Sequence, residues 1–205
     1  MINKLKNENN VKLLISSSGG NAGHSVATIG YNLDIPVKVF VPTTTRQMMI
    51  DKLLLKGANV HIGGANWNEA DQFARKALEE HEGSFYIPPY DHPLIWDGNS
   101  TIIDELVSDG IKPAAIVLSV GGGGLLRGIQ IGLERHGWTD VKIIAIETTG
   151  TASYAAAYKA KKPVLLDKID SIATSLGALS VTESTLTSSI ETLPFVVTDK
   201  DSVEG

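Results

Sequence analysis

Ser119-Val120-Gly121-Gly122-Gly123-Gly124-Leu125 places four consecutive glycines between two segments of different periodicity. Before it, Ala114–Leu118 is a short apolar run rich in β-branched residues. After it, Leu125–Leu133 repeats its apolar residues at helical spacing. The pattern is strand, glycine loop, helix. Glycines there allow φ > 0 and bring backbone N–H groups close to a ligand with no Cβ in the way, while the helix N-terminus adds partial positive charge. A phosphate is the anion best suited to that site. The register is that of neither familiar phosphate loop. No lysine follows the glycines as a P-loop requires, and counting from Gly122 the sixth position, a glycine in the dinucleotide fingerprint, is Arg127. The alternative is a tight βα turn in which glycines serve only close packing.

The same arrangement occurs earlier. Val11–Ile15 reads as a buried strand, Ser16-Ser17-Ser18-Gly19-Gly20-Asn21-Ala22-Gly23 as a polar glycine loop, and His24–Leu33 as a helix. Serines and asparagine at a helix start also serve as plain N-caps. Between and after the two loops, strands are expected at Val37–Val41, Asn59–Ile62, Val141–Glu147 and Phe195–Val197. Helices are expected at Arg46–Lys56, Trp67–Glu82, Gly98–Asp109 and Thr151–Ala160. Strands alternating with helices every few turns imply α/β architecture with parallel, doubly wound sheets. Ser84–Trp96, with three prolines and four aromatics, reads as an irregular connection between domains, and Asp91-His92 within it as a turn. Ser180–Ser189, rich in Ser and Thr, reads as a helical segment.

Composition narrows the function classes. The 205 residues carry 42% hydrophobic and 20% charged side chains, enough for a buried core. The net charge of −5, with no basic run longer than a pair such as Lys161-Lys162, argues against a nucleic-acid or anionic-membrane partner. No apolar stretch reaches membrane-spanning length, and without cysteine there is no disulfide framework or thiolate nucleophile. Glu147, closing its expected strand before Thr148-Thr149-Gly150, lies where such sheets keep ligands.

Three ordered motifs, Ser-Ser-Gly-Gly-Asn-Ala-Gly (17–23), Tyr-Ile-Pro-Pro-Tyr-Asp-His-Pro-Leu-Ile-Trp-Asp-Gly (86–98) and Ser-Val-Gly-Gly-Gly-Gly-Leu (119–125), resemble the L-serine/L-threonine dehydratase family over almost all of residues 11–204. The resemblance implies the tryptophan-synthase-β-like fold, PLP fold type II. It implies a small domain over 11–93 and an incomplete large domain over 94–205, with pyridoxal 5′-phosphate as cofactor and an amino acid as substrate. By it, Gly121, Gly122, Gly123 and Gly124 with the Leu125 amide hold the cofactor phosphate, and Asn21 donates to the ring's 3′-oxygen. Ser18, Gly19 and Gly20 meet the substrate carboxylate, and Glu147 stands beside the cofactor and a monovalent-cation site. Serine would give pyruvate and ammonia; threonine would give 2-oxobutanoate and ammonia.

The family's Schiff-base lysine lies in a Ser-Phe-Lys-type motif upstream of the asparagine loop, and no catalytic lysine is matched here; Lys4, Lys6 and Lys12 have no Ser-Phe before them. The family's C-terminal segment, with the Ser or Cys facing the pyridine nitrogen, is not matched either. The expectation is a truncated and inactive homologue with exposed sheet edges and poor solubility. The alternatives are a lyase completed in trans and a non-catalytic cofactor- or partner-binding protein. Dimerisation is common in such enzymes, and a cytoplasmic or mitochondrial location is the corresponding expectation.

Overall fold

A computed structural model describes residues 1–8 and 10–204; Asn9 and Gly205, the last residue of the second expected domain, lie outside the described residues. The chain divides between Pro89 and Tyr90 into two compact units. That is a few residues before the expected 93/94 boundary. The first unit begins at Met1 rather than Val11, because helix α1 (Ile2–Glu8) buries Ile2 in its core.

The first unit continues with β1 (Leu13–Ser16), α2 (Asn21–Leu33), β2 (Val37–Val41), α3 (Gln47–Leu55), β3 (Asn59–Ile62), α4 (Trp67–Glu80) and β4 (Ser84–Tyr86). The strands form one parallel sheet ordered β3-β2-β1-β4. Alternation along each strand sends side chains to opposite faces. Leu14, Val37, Val39 and Val41 meet Val26, Ala27, Ile50 and Leu53 of α2 and α3, while Ile15 and Phe40 meet Ala74 and Ala77 of α4. Both faces are therefore covered, as parallel sheets require. The chain winds outward from β1 through β2 to β3 and then returns to the far side of β1 as β4. The switch point lies between the C-terminal ends of β1 and β4, the place where open α/β sheets bind ligands.

The second unit runs α5 (Pro93–Ser108), β5 (Ala115–Ser119), α6 (Gly124–Arg135), β6 (Lys142–Thr148), α7 (Ser153–Ala160), β7 (Thr192–Val197) and α8 (Asp199–Glu204). Its parallel sheet is ordered β5-β6-β7. Leu118, Ile143 and Ala145 pack with Ile103 of α5, Leu126, Ile129 and Leu133 of α6, and Tyr154 and Ala157 of α7 in one core. The register aligns Val117, Ile144 and Leu193 on the other face, with Ile146 and Phe195 beside them. Val117 is 63% exposed and Phe195 57% exposed, so that face is largely bare.

Three expectations are corrected. Ser84–Trp96 is not irregular throughout: Ser84–Tyr86 forms β4 beside β1, and α5 begins at Pro93. Proline suits the first helical position, where its missing N–H has no intrahelical partner to lose. Ser180–Ser189 contains only a 3-10 turn at Glu183–Leu186. Its hydroxyls bond back to the backbone instead, Thr185 Oγ1 to the Thr182 carbonyl at 2.8 Å and Thr187 Oγ1 to that of Ser184 at 3.1 Å. The helix expected from Thr151 starts at Ser153, after a 3-10 turn at Thr149–Thr151.

Candidate functional site

In the first unit, the loop from β1 to α2 carries Ser18, Gly19, Gly20 and Asn21 together at the C-terminal edge of the sheet. Gly20 is the N-cap of α2, and its carbonyl accepts the first helical bond from the His24 N–H at 3.1 Å. The N–H groups of Asn21, Ala22 and Gly23 precede that bond and donate to no described residue. Ser18 Oγ accepts from the Gly20 N–H at 3.3 Å, which folds the loop back on itself. Asn21 is exposed, and its side-chain amide has no partner among the described residues. Two glycines are required by close approach. A Cβ at Gly23 would lie 1.7 Å from the Ser18 carbonyl oxygen, and one at Gly19 would lie 2.8 Å from Thr45 Cγ2. The expected anion loop is thus held tightly at its base and open at its amides.

The base of that loop rests on a group the sequence reading missed. Ser17 is fully buried; its hydroxyl donates to Asp71 Oδ1 at 2.7 Å and lies 2.8 Å from the Tyr86 hydroxyl. Tyr86 donates to the same Asp71 oxygen at 2.5 Å, and Arg75 Nε donates to Oδ2 at 3.3 Å with its guanidinium 3.8 Å above the Tyr86 ring. Burial, reinforced by the Asp71 carboxylate, pushes the Tyr86 phenol up to about 12, so it stays a donor. The only sequence signals were a tyrosine before Ile87-Pro88-Pro89 and an acid on the first turns of α4, which reads as solvated charge.

In the second unit, Gly121 to Gly124 bridge β5 and α6. Gly123 is the N-cap and takes a left-handed conformation at φ 85°, which a side chain would strain. Packing also demands these glycines. A Cβ at Gly122 would meet the Tyr90 ring at 2.3 Å, one at Gly123 the Val181 side chain at 2.6 Å, and one at Gly124 the Tyr90 carbonyl at 2.7 Å. Packing does not explain the amides: the N–H groups of Gly121 through Leu125 donate to no described residue. The loop is therefore both a tight turn and a row of free donors at a helix N-terminus. The structure gives Asp91 and His92 local roles beside it. Asp91 accepts from the Thr182 hydroxyl, and His92 Nδ1 accepts from the Leu94 N–H at 3.1 Å, capping α5.

Glu147 sits at the end of β6, fully buried. Its two oxygens accept from the N–H groups of Tyr154 and Ala155 at 2.7 and 2.8 Å, at the start of α7. Desolvation pushes its carboxyl above the ordinary value of 4.5, and those two amides partly oppose the shift. Among the described residues no group of three or more His, Cys, Asp or Glu is placed to hold a metal.

Parallel α/β units that present glycine-loop donors at strand ends define a scaffold for binding a phosphorylated cofactor. The chain belongs to the family described as pyridoxal-phosphate dependent enzymes, whose family model matches residues 1–205. It is 39% identical over 216 residues to the L-serine dehydratase of Dictyostelium discoideum, covering 100% of this chain and 61% of that protein. It is 41% identical over 206 residues to the catabolic L-serine/threonine dehydratase of Saccharomyces cerevisiae, covering 93% of this chain and 57% of that one. The crystal structure of a fungal L-serine ammonia-lyase from Rhizomucor miehei superposes with a TM-score of 0.89 at 32% identity, over 99% of this chain and 65% of that one. The chain thus spans about three fifths of the length of the relatives it matches.

The fold is the tryptophan-synthase-β-like α/β fold of PLP fold type II, and pyridoxal phosphate is the family's cofactor. The residues present fit that group: the Gly121–Gly124 cradle offers unpartnered amides at a helix N-terminus, where a phosphate is best received. Among the described residues no helix is long and apolar enough to cross a membrane.

Proposed function

We propose that these 205 residues supply the cofactor- and substrate-holding loops of an L-serine/L-threonine dehydratase. That reaction takes L-serine to pyruvate and ammonia, or L-threonine to 2-oxobutanoate and ammonia. The observation that carries the reading is the row of unpartnered amides from Gly121 through Leu125. In this reading those amides hold the cofactor phosphate and Asn21 donates to the pyridine 3′-oxygen. Ser18, Gly19 and Gly20 hold the substrate carboxylate against the N-terminus of α2. When bound, pyridoxal phosphate supplies an electron sink for loss of the substrate α-proton. The chain's own residues bind and orient; none of residues 1–205 matches the family's base lysine. Turnover therefore requires a lysine-bearing segment, whether from the same polypeptide or another, because positioning does not replace a covalent anchor and base. Glu147 is assigned to the Tyr154 and Ala155 amides; a monovalent cation there would compete for the same oxygens.

A second reading, a lyase assembled only when further polypeptide covers the second unit, is favoured by the bare face bearing Val117 and Phe195. One experiment tests both. Pyridoxal phosphate is titrated into the purified 205-residue chain, with borohydride trapping and a 2-oxo-acid assay on L-serine and L-threonine. Reversible binding that inorganic phosphate displaces and Gly122→Ala abolishes is the expected result, with no trapped adduct and no 2-oxo acid. Adding a lysine-bearing family segment should restore turnover if the second reading holds. Turnover by the chain alone, or no binding at all, would overturn the proposal.

A further inference from the structure

The Ser17–Asp71–Tyr86 group lies where three elements meet: the residue after β1, the second turn of α4 and the last residue of β4. Those are the two sides of the sheet's switch point. Ser17 leads directly into Ser18, whose carbonyl abuts Gly23 and whose hydroxyl accepts from the Gly20 N–H. The direction in which the loop presents its amides is therefore inherited from where Ser17 is pinned. The carboxylate of Asp71 gathers both hydroxyls on one oxygen, and Arg75 engages the other. Arg75 lies over the Tyr86 ring and pairs with Asp71 Oδ2, so the Asp71 charge at the base of the loop is offset locally. A plain ion pair on α4 would need neither the buried serine nor the tyrosine.

We propose that Asp71 and Tyr86 are positioning residues which act through Ser17 to set the geometry, and so the carboxylate affinity, of the Ser18–Gly20 loop. The proposal rests on the reading of that loop as the substrate-carboxylate site. It assigns specificity of orientation to side chains that touch neither substrate nor cofactor. Asp71 and Tyr86 act as one unit, because both meet at a single oxygen and at the same serine.

The test uses the intact chain, uniformly labelled with 15N, as wild type and as Tyr86→Phe, Asp71→Ala and the double variant. Lys76→Ala, on the exposed side of the same helix, is the control. Backbone order parameters are measured first along the chain, Ser18–Asn21 included, without ligand, and then the Ser18–Asn21 amides are followed in an L-serine titration. Folding of every variant is checked from the amide spectrum of β2 and α3. The proposal expects lower order parameters confined to Ser18–Asn21 and an affinity for L-serine weakened five- to tenfold in each single variant. It expects the double variant to be no worse than the poorer single one, and the Lys76→Ala chain to match wild type. Unchanged loop order in Tyr86→Phe and Asp71→Ala overturns the proposal. So do additive losses, or losses shared by Lys76→Ala. If wild-type amides ignore L-serine while the variants still loosen the loop, the carboxylate reading fails and the positioning role of Asp71 and Tyr86 stands.

Discussion

At the scale of single residues, contact distances decide which glycines can change. Gly23→Ala must push its methyl into the Ser18 carbonyl, 1.7 Å away, and neither backbone can yield without moving the start of α2. The expected outcome is a loss of about 3 kcal/mol in the first unit, at the upper end of overpacking penalties. Urea unfolding followed by tryptophan-independent far-ultraviolet dichroism checks it. Glu147 gives a prediction of opposite chemistry. Its carboxyl titrates above 4.5 in the folded unit, so the folded state holds more protons than the unfolded chain in the window just above that value. Stability contributed by this group is therefore present at lower pH and falls as pH rises through the window. Glu147→Ala should flatten that slope while lowering stability by about 1–2 kcal/mol through loss of the α7 cap. Unfolding midpoints measured at several mildly acidic pH values give both quantities.

At the scale of elements, the bare face of β5–β6–β7 is the feature with the largest consequence. Val117, Leu193 and Phe195 present apolar surface that parallel sheets ordinarily cover, and such a face promotes association. Phe195→Lys should raise the concentration at which the chain stays monomeric in light scattering and leave pyridoxal phosphate binding intact. Failure to change association would mean that another surface drives it.

What could be read beforehand follows from the length and regularity of each element. The strands Val37–Val41 and Asn59–Ile62 agree with the sequence pattern to the residue, the first as a short apolar run and the second as an alternation, each bounded by turn signals. The tetraglycine loop could be read because its flanks have opposite periods. β4 could not: three residues are too few to show alternation, and the prolines after them suggested irregularity. Nor could the Ser17–Asp71–Tyr86 contact, since its partners lie far apart in sequence and each alone has an ordinary explanation. Glu147 pointed to a strand end, but the helix start that takes its oxygens is set by the path of the chain around Gly150.

At the scale of the whole molecule, each unit has a hydrophobic core of its own, one around Leu14, Val39 and Leu53 and the other around Leu126, Leu133 and Ile143. Leu53→Ala should therefore cost the first unit about 2–5 kcal/mol, as buried leucine truncations do. Amide chemical shifts of the Gly121–Gly124 loop should remain at their wild-type positions. Shifts that spread to that loop would show the cores to be one cooperative body.

The strand order also dictates a sequence of events in time. β1 is made early, yet one of its two neighbours is β4, the last strand of its unit to be synthesised. Domains form as the ribosome delivers them, N-terminal parts first. Until Tyr86 emerges and docks, Ser17 has Asp71 alone to hold it, and the group that pins the β1–α2 loop is incomplete. A nascent chain halted before that tyrosine would carry three of the sheet's strands and a loop lacking one of the two partners of Ser17. The loop's final setting would arrive with the last strand, as the closing step of the unit's assembly.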